Sequence, residues 1–215
     1  QPAGDFLKLH KEFRLFYALA VLYGSRKQLF ITFAPWVLVR ILDQPTEILA
    51  TLFTIGGIIG ILFQPLLGWA VDKLGEKFVL TSEAVLLIFV CLGYGYGKFL
   101  FAPNIALIVI SACFLLDQML MSVGMARSTY VKKIAKRPED IQTTLTAGIT
   151  IDHFFSISVA LLGGVIWDQL GFQYVFLFGA IIALVNFFVA RQIRIPDTIP
   201  AQADISLKTE EGGIS

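Results

Sequence analysis

Charge is scarce in this chain. Asp, Glu, Lys and Arg make up 15% of its 215 residues, and the formal net charge is +1. So small a surplus offers little to a polyanion, and no nucleic-acid partner is expected. Cysteine is scarcer still: Cys91 and Cys113 both fall inside apolar runs and read as small core residues rather than a disulfide or a metal pair. The chain has no Gly-x-x-x-x-Gly-Lys-Ser/Thr loop, which leaves ATP-driven work without support. It also has no His-Glu-x-x-His, no Gly-x-Ser-x-Gly and no Cys/His ligand cluster. Neither an enzyme nor a cofactor or metal is expected. The period-2 alternation of a membrane β-barrel is missing as well.

Apolar sequence is abundant. Hydrophobic residues make up 56% of the chain, and the mean hydropathy is +0.75. Six stretches are long enough to cross a bilayer core of about 30 Å, which takes roughly 20 helical residues. They are Leu15–Ile41, Ile48–Val71, Phe78–Gly97, Pro103–Ala126, Ile141–Trp167 and Phe172–Ala190. In lipid the backbone must satisfy its own hydrogen bonds, so continuous apolar runs imply helices. The expected fold is an all-α membrane protein with six transmembrane helices. A linker over 1–12, a helical domain over 13–194 and a tail over 195–215 complete the organisation. The chain opens on Gln1 rather than Met, and no secretory signal precedes the first span, so it is expected to be a piece of something longer.

Lys and Arg set the orientation. One set of alternate loops holds Lys8, Lys11, Arg14, Lys73, Lys77, Arg127, Lys132, Lys133, Lys136, Arg137, Arg191, Arg194 and Lys208; the other holds only Arg40 and Lys98. The positive-inside rule then places both termini and the Arg127–Arg137 loop in the cytoplasm, with a bacterial-type plasma (inner) membrane as the expected location.

Two segments share the pattern Gly-x-x-x-Asp-x-Leu-Gly: Gly68 to Gly75 and Gly164 to Gly171, offset by 96 residues. That offset is three spans, an odd number, so the copies fall on opposite sides of the membrane. An inverted three-plus-three repeat is the symmetry of many secondary transporters. In the first copy, Gly68 permits close helix approach. Asp72 can accept hydrogen bonds at a neighbouring helix start, and Gly75 permits a tight reversal. Lys73 and Lys77 hold the loop on the cytoplasmic side. Together these five residues are expected to form a latch that breaks between conformational states.

The run Gly68-Trp-Ala-Val-Asp72-Lys73-Leu-Gly75-Glu76-Lys77 resembles the cytoplasmic loop Gly-x-x-x-Asp-[Arg/Lys]-x-Gly-[Arg/Lys]-[Arg/Lys] of the major facilitator superfamily. Glu76 departs from it, standing where a basic residue is usual. Gly163 to Phe176 is similar to the junction of the fifth and sixth helices of such halves. The resemblance implies one six-helix half of a twelve-helix transporter. The C-terminal half is expected, and the N-terminal half is the alternative. The partners implied are the missing half, the lipid bilayer and a small solute.

Several ionisable residues lie near mid-span: Arg26 and Lys27 in the first, Asp117 in the fourth, Asp152 and His153 in the fifth. Each charge at the bilayer centre costs at least about 2.5–3.5 kcal/mol on insertion scales, so partners are expected. Arg26 or Lys27 is expected to pair with Asp117 or Asp152. Adjacent Arg26 and Lys27 point about 100° apart on a helix, so both cannot face one site equally. These five residues are the candidate substrate or proton pathway. Glu83 is expected to pair near the cytoplasmic interface instead. The expected function is secondary active transport by alternating access, with a proton as a candidate coupling ion. The alternative is a scaffold or sensor that transports nothing.

Overall fold

The computed structural model describes residues 13–135 and 137–194. The expected linker and tail, with Lys8, Lys11 and Lys208, lie outside the described residues, as does Lys136. Apart from short connections the described residues are helical, without strands: α1 (Arg14–Trp36), α2 (Thr46–Leu100), α3 (Pro103–Met121), α4 (Gly124–Ile134), α5 (Pro138–Gln169) and α6 (Phe172–Ala190). A π-helical turn, Val37–Ile41, follows Pro35 at the end of α1.

Four helical segments are long and apolar enough to cross a membrane: Thr46–Leu100, Pro103–Ile134, Asp140–Gln169 and Phe172–Ala190. The first span expected from sequence is not among them, because Arg26, Lys27 and Gln28 interrupt the apolar run of α1. Charge, rather than length, disqualifies it.

The second and third expected spans are the two arms of α2, 55 residues in all. A straight helix of that size would be about 80 Å long. It is broken at Gly75, which sits at φ 82°, ψ 158°. The chain turns back there, since Lys98 Nζ donates to the Ile41 carbonyl at 2.9 Å, closing the far ends of both arms together. The other positive-φ glycine among the described residues is Gly171, at φ 110°, between α5 and α6. Each is the last glycine of a Gly-x-x-x-Asp-x-Leu-Gly copy. The α5–α6 junction shares its end of the bundle with the close of α1, for Trp36 meets Trp167 and Phe99 stacks on Phe172 at 5.8 Å. Gly75 lies at the other end, beside α4, where neighbouring Glu76 pairs with Lys133 at 2.7 Å.

Small residues set the helix spacing. α1 and α5 run parallel in contact at three levels. A side chain at Gly148 would meet the Phe16 ring at 2.6 Å, one at Gly24 would run into Asp152, and one at Gly163 would meet Phe33 at 2.5 Å. The second arm of α2 packs antiparallel on α6 through Gly95 against Phe176 and Gly179 against Cys91. A core of Phe30, Tyr94 and Phe176 rings locks these elements, with Tyr94 and Phe176 stacked at 4.8 Å. The first arm of α2 is different. Gly56 touches Gln118, but Gly57, Gly60 and Gly68 have open space where a side chain would stand. The glycine spacing of this arm predicts a close-packing face of Gly56, Gly57 and Gly60, and in this structure it reduces to Gly56. Pro65 lies inside this arm, and the helix continues through it.

The expected Arg127–Arg137 loop is mostly the helix α4. Ala126, Arg127, Tyr130 and Val131 are its buried face, a spacing of one, three and one that returns once per turn.

Candidate functional site

Arg26 is at the centre of the buried charge. α1 carries it into the core, where it is 2% exposed. Its Nη2 donates to Asp117 Oδ1 of α3 at 2.9 Å, and its Nη1 donates to Glu83 Oε1 of α2 at 3.1 Å. Glu83 turns its second oxygen, Oε2, toward Arg127 Nη1 of α4, 3.6 Å away. Two cations and two carboxylates are thus brought together in a nearly dry space. A guanidinium can serve two carboxylates at once because its N–H groups form a rigid planar fork.

One residue further on, Lys27 takes the second direction. Its Nζ donates to Asp152 Oδ2 of α5. Ser156 Oγ lies 3.0 Å from the Gly24 carbonyl and 3.4 Å from Asp152 Oδ1, tying α5 to α1 at the same level. Tyr23 links the two groups. The Arg127 guanidinium carbon lies 3.7 Å from its ring centre, and Lys27 Nζ lies 5.6 Å away.

Arg26 therefore meets Asp117, and Lys27 meets Asp152. His153, about 100° further round α5, is exposed and joins neither group. Two members were missed. Glu83, expected to pair near the cytoplasmic interface, is 2% exposed inside the bundle, and Arg127 is not a loop residue but a residue of α4, 4% exposed beside it. The one signal in the sequence was Glu83 itself, an ionisable residue inside the third apolar run.

The expected latch residues stand apart from this site. Asp72, Lys73 and Lys77 are exposed, and Asp72 has no ion-pair partner among the described residues. Gly68 faces open space, so no close helix approach is made there, while Gly75 does adopt the turn conformation expected of it. The buried acid at this junction is Glu76, held by Lys133. Gln28, which the sequence offers with Gln64, Gln118 and Asn186 for hydrogen bonds between helices, bonds Thr32 of its own helix at 2.9 Å.

The described residues form an all-helical fold with four helices long and apolar enough to cross a membrane and a cluster of buried charge, as fits a membrane protein. No model of a known family, no curated protein and no solved structure matches the chain.

Proposed function

We propose that this chain is one six-helix half, the C-terminal one, of a secondary active transporter of the major-facilitator type. It moves a small solute across a membrane by alternating access. In this reading the two arms of α2 each cross the bilayer, α1 crosses with its charges sheltered, and α3 with α4 forms one crossing. Both termini are cytoplasmic in a plasma membrane, and the missing half faces this one across the solute path.

The observation that carries the reading is the charge set on five helices. Arg26, Lys27 and Arg127 face Glu83, Asp117 and Asp152 across α1 to α5. Buried ion pairs contribute little to stability and are often replaceable by apolar residues. Their use lies in exchanging partners, which gives a bundle two discrete arrangements. The two positive-φ glycines at opposite ends support the inverted repeat.

Side-specific cysteine labelling tests this. Ser128→Cys and Thr32→Cys lie toward opposite ends of the bundle. Alternating access requires Ser128→Cys to react from the cytoplasm in one state and Thr32→Cys from the other side in the other, with reciprocal rates. Reaction of both from one side in every condition overturns it in favour of a static scaffold. Orientation is checked with Ser206→Cys and Asn104→Cys, the first reacting only from the cytoplasm. For proton coupling, Asp152→Asn should abolish the pH dependence of uptake in proteoliposomes.

A further inference from the structure

A cavity of about 200 Å³ opens between α1, α4 and α5, beside the buried charges. Phe16, Ala20, Leu145 and Ile149 make most of its wall, and Tyr23, Arg127 and Ser128 form a polar corner. Arg127 spends only one of its terminal nitrogens on Glu83. Its Nη2 is buried with no partner among the described residues. Buried N–H groups are nearly always satisfied, and a charged one left alone is costly. The space next to Nη2 is held clear by Gly124: a side-chain carbon there would lie 3.4 Å from both Nη2 and the Tyr23 hydroxyl oxygen. Asp152 also lines the cavity, and its carboxylate is engaged by Lys27.

We infer that this cavity is a binding site for a small organic anion, a carboxylate on an apolar body, seated on Arg127 Nη2. An unpaired guanidinium nitrogen selects an anion over a cation or a neutral solute. The apolar wall selects an organic body over an inorganic ion. The volume is below the roughly 300–1,000 Å³ of drug-sized sites, so the ligand is small. The inference rests on the transport reading only for its biological purpose, since binding is measured without transport.

The test is ligand-dependent thermal stabilisation of the full chain in detergent. Probes are benzoate, benzamide and benzylamine, with chloride at equal ionic strength. Benzoate should raise the midpoint, and the other three should not. Arg127→Gln should weaken benzoate at least tenfold. Because Arg127 also faces Glu83, the double variant Glu83→Gln/Arg127→Gln removes both charges and keeps the comparison valid if the single variant unfolds. Leu145→Phe, which narrows the apolar end without touching a charge, should weaken benzoate too. Equal stabilisation by chloride or benzamide, or benzoate affinity unchanged in the double variant, overturns the site. Benzoate binding without reciprocal labelling would leave the site standing and remove the transport reading; the reverse result would remove the site alone.

Discussion

Arg26 and Lys27 are neighbours on one helix, yet they live in different surroundings. The Arg26 side chain is 3% exposed, and its partners Glu83 and Asp117 are 1% and 9% exposed. The Lys27 side chain is 19% exposed and that of Asp152 13%. A rotation of about 100° per residue separates a sealed pair of contacts from one that borders a cavity. The chemistry of each cation fits its place. The guanidinium never sheds its charge and suits permanent bidentate duty, whereas an ammonium is a compact, strongly hydrated donor that exchanges partners readily. The sealed group reads as the fixed part of the site and the Lys27 group as its working edge.

The largest effect should come from Arg26→Ala. It strands the buried Asp117 carboxylate and leaves Glu83 with Arg127 alone, which should cost about 3–5 kcal/mol, read as a fall in the unfolding midpoint in detergent. Arg26→Ala/Asp117→Ala should be milder than Arg26→Ala alone. Strictly additive losses would erase the idea of a sealed group.

Gly24→Ala comes next. Its methyl group would run into Asp152 side chain and backbone, pushing α1 from α5. Overpacking of this kind costs roughly 1–3 kcal/mol. The loss should concentrate on the Lys27 group, so a Lys27–Asp152 double-mutant cycle should lose its coupling in that background. Undiminished coupling there would show that the two helices need not touch for the pair to form.

Lys27→Ala itself should cost only about 1–2 kcal/mol, because water reaches both partners. A loss equal to that of Arg26→Ala would cancel the distinction between the two groups. Smallest is Tyr23→Leu, which removes a ring lying between Arg127 and Lys27. About 1 kcal/mol is expected from the lost cation–π contacts. The informative readout is the coupling between Arg127→Gln and Lys27→Ala, which should shrink toward zero without the ring.

Much of this was legible in the sequence because the governing quantity is local. Apolar run length foretold most helix positions to within a few residues, and Gly75 was expected at a tight reversal, where it has positive φ; Gly171, closing the second copy, shares that conformation without having been expected to. That Arg26 or Lys27 would pair with Asp117 or Asp152 followed from the cost of lone charge in lipid, but which cation meets which carboxylate did not. Glu83 and Arg127 were misplaced because hydropathy marks where an apolar run ends, whereas depth in the bundle depends on neighbouring helices. α4 carries Arg127 inward past the end of its apolar run, on a helix that the loop reading had no reason to expect. The openness around Gly57, Gly60 and Gly68 was equally illegible: glycine spacing shows where a helix could approach, not whether one does.

The charge set has one more consequence. Arg26, Lys27 and Arg127 balance Glu83, Asp117 and Asp152 one for one. Moving a single unpaired charge across the membrane involves about 2.3 kcal/mol for every 100 mV. A set that sums to zero can shift as a body through the same field with almost no electrical work. Under the proposed transport reading, the unloaded protein should change state at a rate insensitive to voltage, and any current during turnover should report the cargo and its accompanying ions.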